Sequence, residues 1–449
     1  MVEIKIEKGA EKIISILEES GYEAYAVGGC VRDSVMGKIP NDWDITTSAL
    51  PETVCEIFKR FLYEVLPTGI KHGTVTVRID DKNYEVTTFR TESEYDDFRR
   101  PKSVNFVGRI EEDLKRRDFT VNAMAYNPKR GLIDLYGGLS DIKNKKIKAV
   151  GNPYERFSED ALRILRGARF CSALGFDIDE ETLSAMEKLS PNLNKVSVER
   201  VWSELEKLLK GRFVKKSLTD CFKVVFSVIP ELEKCYKFNQ HSKWHKYDVY
   251  GHIVESVSNI DDDLVLRLTM LLHDVGKPDK FFMRNGEGHF YGHPIRSKEI
   301  AEEVFKRLKV PVQVSKDALF LIEKHDKIIP SDKIKIKKEL YAIGEKNFFN
   351  LMKVKNADNK AQATEIALEE NLKVRQVEQL AKEIVENGEC YKLEDLKVDG
   401  KDVIKFGFSG KKVGEILQSI LFDVINGNLK NDREVLLKSL ERRKGKSGV

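Results

Sequence analysis

Near residue 150 of this 449-residue chain the hydrophobic pattern changes period, and that change restricts the possible folds more than any other feature. Upstream, Gly73-Thr74-Val75-Thr76-Val77-Arg78-Ile79 and Tyr84-Glu85-Val86-Thr87-Thr88-Phe89 alternate apolar and polar residues between turn signals at Asp80-Asp81 and Lys82-Asn83. Alternation of this kind marks strands with one buried face. Ala24-Tyr25-Ala26-Val27 reads as a short buried strand, led by an amphipathic helix over residues 10 to 20 with Ile13, Ile14 and Leu17 on one side. Downstream, the stretches Ala161 to Phe170 and Val201 to Leu209 carry apolar residues at helical spacing, and few strand signals follow. The expected fold is an α/β head, a small mixed sheet with flanking helices, followed by an all-α remainder.

A chain of this length exceeds one ordinary core, so two to four domains are expected. Charged residues make up 33% and hydrophobic residues 41%, and no apolar run reaches the length that crosses a bilayer, which predicts no membrane partner. The first eight residues mix charges without an apolar signal core, so a cytoplasmic location is expected. Six cysteines lie scattered without Cys-x-x-Cys spacing, which suggests neither a zinc ribbon nor a disulfide framework. The net charge of +4 permits an RNA partner without demanding one. Lys115-Arg116-Arg117, the stretch Lys143 to Lys148, and Arg442-Arg443-Lys444 are basic clusters that suit phosphates or simply a solvated surface.

Chemistry concentrates in Gly28-Gly29-Cys30-Val31-Arg32-Asp33 and Asn41-Asp42-Trp43-Asp44-Ile45. On a strand, the spacing of Asp42 and Asp44 puts both carboxylates on one face, where they can hold Mg²⁺ against a nucleoside triphosphate. Asp-x-Asp pairs also cap turns. The glycine pair after a strand lets backbone N–H groups approach a phosphate, with Arg32 three residues beyond Gly29 to bind it. Together these residues point to nucleotidyl transfer. In Arg116-Arg117-Asp118-Phe119-Thr120-Val121-Asn122-Ala123, a helix start would set Asp118 and Asn122 one turn apart, where they can hold ribose hydroxyls while Arg117 reaches the triphosphate. An N-cap aspartate is the alternative. Asp160, Arg163, Arg166 and Arg169 recur every three residues and line one helix face opposite Leu162, Ile164, Leu165, Ala168 and Phe170. That pattern suits a structural amphipathic helix, and it also suits base selection. Cytosine and adenine present an amino donor beside a ring-nitrogen acceptor, which Asp160 and Arg163 complement.

Taken in order, the glycine-arginine-aspartate stretch, Arg-Arg-Asp-x-x-x-Asn-Ala, Asp134-Leu135-Tyr136-Gly137-Gly138 and Glu159-Asp160-x-x-Arg163 resemble the class II tRNA nucleotidyltransferases, or CCA-adding enzymes, of the DNA polymerase beta superfamily. The resemblance covers residues from about 22 to 210. It implies that Gly29 and Arg32 contact the incoming nucleotide and that Asp42 and Asp44 bind Mg²⁺. Arg117, Asp160, Arg163, Arg166 and Arg169 then complete a pocket taking CTP and afterwards ATP, with tRNA as acceptor. It further implies a structural role for the neck stretch from Val198 to Leu205. Glu85 is a possible third carboxylate, and Asp96-x-x-Arg99 resembles an element associated with complete CCA addition.

Further on, His252, His273-Asp274 and Asp358 follow the order found in HD-type metal phosphohydrolases, with His273-Asp274 ending a buried helical run and Asp358 on a later helix. His293 and His325 could extend that site to a second metal. Imidazole and carboxylate together suit Mn²⁺, Ni²⁺, Zn²⁺ or Fe. The expected domains are a nucleotidyltransferase head over 1–150, a base-selecting neck over 151–215, an HD-like helical domain over 216–370 and an RNA-binding helical tail over 371–449. In that tail Phe406 to Gly410 supplies a glycine-bounded turn before an apolar helix. Alternatives are an A-adding, CC-adding or poly(A)-polymerizing enzyme of the same fold, an HD phosphohydrolase whose head binds RNA, and a noncatalytic RNA chaperone. Oligomeric state is not legible.

Overall fold

The computed structural model describes residues 3–92, 95–96, 100–101, 104–242, 246–362 and 365–447, the side chains at 68, 92–104, 366–367 and 445–447 set aside. The chain divides into two compact units, residues 1–230 with 307–309, and residues 231–306 with 310–449. The sequence boundary expected at 216 thus falls inside the first unit.

Seven strands build the head: β1 (Ala24–Val27), β2 (Asp44–Thr47), β3 (Glu64–Gly69), β4 (Thr74–Ile79), β5 (Lys82–Thr88), β6 (Met124–Asn127) and β7 (Gly131–Asp134). They lie in the order β7-β6-β1-β2-β5-β4-β3. Only β2 and β5 pair in parallel within this sheet, so it is mixed, as the alternating segments predict. All four residues of β1 are buried, as a central strand covered on both faces requires. In β4 Val75, Val77 and Ile79 point into the core while the intervening residues face outward. Asp80 and Asp81 both take positive φ, 50° and 61°, the geometry of a tight hairpin turn between β4 and β5. The leading helix, Lys8–Glu19, seals one side of the sheet through Ile13, Ile14 and Leu17.

Three helices position the chemistry of this unit: α1 (Gly29–Val35), α2 (Leu162–Leu174) and α3 (Val198–Leu209). α1 begins directly after β1 through Gly28, whose φ of +80° turns the chain. α2 starts where the Asp160 carboxylate accepts a 3.0 Å hydrogen bond from the Leu162 N–H, and it stops at Gly175 in the left-handed region. α3 buries Val201, Trp202, Leu205, Leu208 and Leu209 on one side.

The second unit is chiefly helical. Its working elements are α4 (Val249–Ser258), α5 (Leu264–Leu272), a hairpin of β8 (Phe282–Arg284) and β9 (Glu287–His289), α6 (His293–Arg307), α7 (Val312–Lys324) and α8 (Glu345–Gln362). Toward its end Val403, Phe408, Ile420, Leu421, Ile425, Leu436 and Leu440 close a small core of their own. Gly407 and Gly410 both take positive φ there, forming the expected turn before the helix Lys411–Ile425.

Candidate active site

The parallel register of β2 on β5 sets Asp44 directly opposite Glu85. Neighbours across a parallel pair project from the same face, so two carboxylates stand side by side at the opening of β2. Asp42 lies just ahead of β2, so the two aspartates do not share a strand. Asp44 reaches solvent, yet its pKa is held above the ordinary aspartate value: crowding by protein contributes most, then the charge of Glu85, with Asp42 adding and Arg117 opposing. Such a crowd of acids is relieved by a cation, which is the chemistry a Mg²⁺ site requires.

Arg117 owes its place to Asp113, a fully buried carboxylate that accepts from Arg117 Nη2 at 3.3 Å and from Arg116 Nη2 at 2.8 Å. Burial alone would raise the Asp113 pKa, but Arg117 and Arg116 more than offset it and the value is lowered. Two members of the basic cluster at 115–117 are thus fixed from beneath. A Cβ on Gly28 would stand 3.0 Å from Arg117 Nη1. Gly28, with its positive φ and this close approach, is the glycine that the site needs; at Gly29 a Cβ would make only an ordinary 3.6 Å contact with Arg32.

From Arg32 a polar chain runs inward. Its Nη1 donates to Asn122 Oδ1 at 2.5 Å, Asn122 Nδ2 donates to Asp118 Oδ1 at 3.4 Å, and Asp118 Oδ2 receives Arg166 through Nε at 2.8 Å and Nη2 at 2.7 Å. Asp118 lies ahead of a short 3₁₀ turn, Thr120–Asn122, and not on an α-helix, but the turn still brings Asp118 and Asn122 together. Burial favours a neutral Asp118; the Arg166 charge and hydrogen bond overcome it and lower the pKa to about 2. The chain continues to Glu204 on α3, 5% exposed, whose carboxylate lies 3.6 Å from Arg166 and 2.8 Å from Arg169. Sequence reasoning missed Glu204. The available signal was an acid in the apolar stripe of an amphipathic helix.

Asp160 and Arg163 line one cavity of about 340 Å³ with Arg117, Asp118, Arg166 and Arg200. The Arg163 N–H donates to the Asp160 carbonyl at 3.1 Å. Asp160 Oδ2 meets Arg200 at 3.1 Å, while Arg163 donates to Glu159 at 2.7 Å and to the carbonyls of Arg156 and Arg116. Arg200 and Arg90, which also lines this cavity, were not foreseen. Asp134 accepts from the N–H groups of Gly138 and Leu139, so the Asp-Leu-Tyr-Gly-Gly motif opens a helix beside the sheet. In the segment after Arg90, Arg90–Glu92 pairs with Val104–Phe106 and Tyr95–Asp96 with Arg100–Pro101. Arg99 and the Asp96 side chain lie outside the described residues.

The second unit gathers its histidines as their order predicts. His252 from α4, His273 at the end of α5 and Asp274 place ligand atoms within 4.8 Å of one another, and so do Asp274, His293 and His325. Among the described residues these are the closed three-ligand groups. Asp274 belongs to both: its Oδ2 lies 3.3 Å from His252 Nε2 and His273 Nε2, and its Oδ1 lies 3.2 Å from His293 Nε2. Asp358 on α8 approaches His252 at 2.9 Å. The Nδ1 atoms of His273, His293 and His325 lie 2.8, 2.9 and 2.7 Å from backbone carbonyls, which directs each Nε2 lone pair inward, as metal ligands require. Burial opposes a charge on His273, yet the neighbouring Asp274 and Asp358 carboxylates raise its pKa to about 10, the mark of a pocket that favours positive charge.

The mixed sheet, its carboxylates and the facing arginines define a nucleotidyltransferase of the polymerase beta kind. Residues 24–148 match the family described as "Poly A polymerase head domain", and residues 175–233 match "Probable RNA and SrmB- binding site of polymerase A". Residues 295–440 match a tRNA nucleotidyltransferase domain 2 family. The CCA-adding enzyme of Enterococcus faecalis is 35% identical over 447 residues, 98% of this chain and 97% of that protein. That of Bacillus cytotoxicus is 52% identical over 211 residues, 47% of this chain and 52% of the relative. A crystal structure of the Bacillus stearothermophilus CCA-adding enzyme in complex with CTP aligns over 98% of both chains, with a TM-score of 0.69 and 30% identity. The Thermotoga maritima CCA-adding enzyme complexed with tRNA, 22% identical with a TM-score of 0.63, shares the fold. The chain belongs to the CCA-adding enzyme family of tRNA nucleotidyltransferases. Its described residues include no helix long and apolar enough to cross a membrane.

Proposed function

We propose that this chain completes the 3′ end of tRNA with CCA, taking CTP and then ATP without a nucleic-acid template, in the cytosol. Family membership supports the reaction, and the assignment of residues rests on the register that sets Glu85 beside Asp44, with Asp42 and Arg117 acting on the same carboxylate. Asp42, Asp44 and Glu85 would hold Mg²⁺, which when bound neutralises triphosphate charge and promotes attack by a hydroxyl. Arg32 and Arg117 take the phosphates. Gly28 keeps the backbone clear for them, and Asp113 holds Arg117 in position. Asn122 and Asp118 stand where ribose hydroxyls are read, their orientation fixed by Arg32 and Arg166. At the base, Asp160 accepts from an exocyclic amino group and Arg163 donates to the adjacent ring nitrogen, each exchanging its present partner, Arg200 or Glu159, for the nucleotide edge. Guanine and uracil present the reverse pattern and are refused. The primer's 3′-oxygen attacks the α-phosphorus, the bond to pyrophosphate breaks, and positioning with electrostatics carries the catalysis.

Asp44→Asn keeps size and hydrogen bonding but removes the charge. Incorporation of CTP into tRNA lacking CCA should fall at least about a hundredfold, the scale of losing a central electrostatic group, while tRNA retention on a filter is preserved. Wild-type incorporation by Asp44→Asn would overturn the assignment.

The shared carboxylate of Asp274 favours a second reading for the other unit: a metal-dependent phosphohydrolase using His252, His273, Asp274 and Asp358, with His293 and His325 completing a second position. The ligand set fits Mn²⁺, Ni²⁺, Zn²⁺ or Fe. Metal analysis after mild chelation and repletion should show metal bound by the wild type and lost in His273→Ala, with phosphomonoester hydrolysis following the metal. Protein that takes up no metal with His273 intact would defeat this reading.

A further inference from the structure

The hairpin beside the histidine cluster carries a feature that metal binding does not explain. Asn285 and Gly286 both take positive φ, 53° and 80°, and close a two-residue turn between β8 and β9. The register places Phe282 opposite His289, so their rings share a face. Tyr291, two residues beyond His289, continues that face. The Phe282 and His289 rings stack with centroids 5.5 Å apart at 28°, and His289 and Tyr291 stack at 5.5 Å and 19°. The hairpin's backbone is fastened on its inner side, where the Gly288 N–H donates to the His241 carbonyl at 2.8 Å. A Cβ at Gly288 would stand 2.2 Å from the Gln240 carbonyl oxygen, so only glycine lets the hairpin lie this close. The hairpin backbone is thus held close against residues 240–241, yet its rings stay open to solvent, Tyr291 68% exposed and Phe282 40%. Aromatic rings kept stacked and bare are unusual where no ligand covers them.

His289 and Tyr291 also line a cavity of about 290 Å³ together with Asp274, His293, His325 and Asp358 of the cluster. One cavity thus joins a flat aromatic surface to the metal ligands. We propose that this hairpin is a nucleobase platform and that the second unit takes nucleoside phosphates, the base stacking on Tyr291 and His289 while the phosphate reaches the histidine cluster. This rests on the phosphohydrolase reading. Stacking tolerates any base because every base has a π-face, so the platform selects nucleosides as a class and not one sequence. In the hydrolysis, water's oxygen bonds to phosphorus, the phosphorus–ribose oxygen bond breaks, and water's protons end on the ribose hydroxyl and on phosphate.

The full-length, metal-replete protein is assayed on uridine 3′-monophosphate and on glycerol 2-phosphate. Loss of a stacking surface should lower the ratio of kcat/KM for the nucleotide over glycerol phosphate by about tenfold in Tyr291→Ala and again in Phe282→Ala. An unchanged ratio in both variants overturns the proposal. In parallel, 5-iodouridine 3′-monophosphate is photocrosslinked and the adducts are mapped by mass spectrometry. Adducts on Phe282, His289 or Tyr291 support the platform, and adducts confined to residues 1–230 overturn it. The crosslink reads location without turnover, so a platform that binds nucleotide beside an inactive cluster would defeat only the phosphohydrolase reading.

Discussion

Asp118 shows how one residue ties charge to architecture. Its carboxylate is buried, chelated by Arg166 and hydrogen-bonded to the Phe119 N–H at 2.8 Å, and its pKa lies at about 2 against an ordinary 3.8. A depressed pKa contributes stability that is complete above the unfolded value and is lost as pH falls through the folded one. The pair should therefore contribute roughly 2 kcal/mol at neutral pH, fading between about pH 4 and pH 2. Thermal unfolding of wild type and Asp118→Asn should show a wide gap in midpoint at pH 7 that closes toward pH 2.5. A gap independent of pH would contradict the ionised pair. At this scale much was legible: Asp42, Asp44, Arg32, Arg117, Asp118 and Asn122 announce themselves by spacing within short stretches. Glu85 was only a possible ligand, because its place beside Asp44 depends on a parallel register between strands some forty residues apart, which no local pattern encodes.

Between elements, the contact that matters most joins α2 to α3. The arginines of α2 recur every three residues, and a row so charged on one face would repel itself without buried counter-charge. Asp118 serves Arg166 from the head side, and Glu204 serves Arg166 and Arg169 from α3. The resemblance implied a structural role for the stretch from Val198 to Leu205; the fold pairs its one buried acid, Glu204, with Arg166, which lines the proposed nucleotide pocket, and with Arg169. Glu204→Gln keeps the shape and removes the charge. KM for both CTP and ATP should rise about tenfold, the scale of one charge-assisted contact, with kcat changing less and the circular dichroism spectrum retained. Wild-type KM values would show that Glu204 only packs. The spacing offered Asp160 and Arg163 as an acceptor and a donor side by side, and the fold adds the partners each holds, Arg200 on α3 for Asp160 and Glu159, one turn away, for Arg163. Asn285-Gly286 was a readable hairpin signal inside a stretch expected to be wholly helical, and its consequence, a cross-strand pair of rings, followed only from the register.

Across the molecule, the first unit carries the carboxylates and arginines proposed to form a phosphodiester, and the second carries the histidine cluster proposed to cleave a phosphate ester. The change of hydrophobic period near residue 150 correctly separated the sheet from the helices. It did not locate the division between compact units, which falls after Pro230 because the helices that follow the sheet pack with the head. Local periodicity reports which face of an element is buried, and not which neighbour buries it. The proposal is that protein side chains, and no nucleic-acid template, choose C, C and then A. It is tested most directly by incubating the protein with tRNAs ending before C74, before C75 and before A76, each with a single nucleoside triphosphate, and sequencing the products. The account predicts that the first two are extended by CTP alone and the third by ATP alone, with GTP and UTP refused throughout. Extension of the third by CTP, open-ended addition of A, or no extension of any of the three would contradict it.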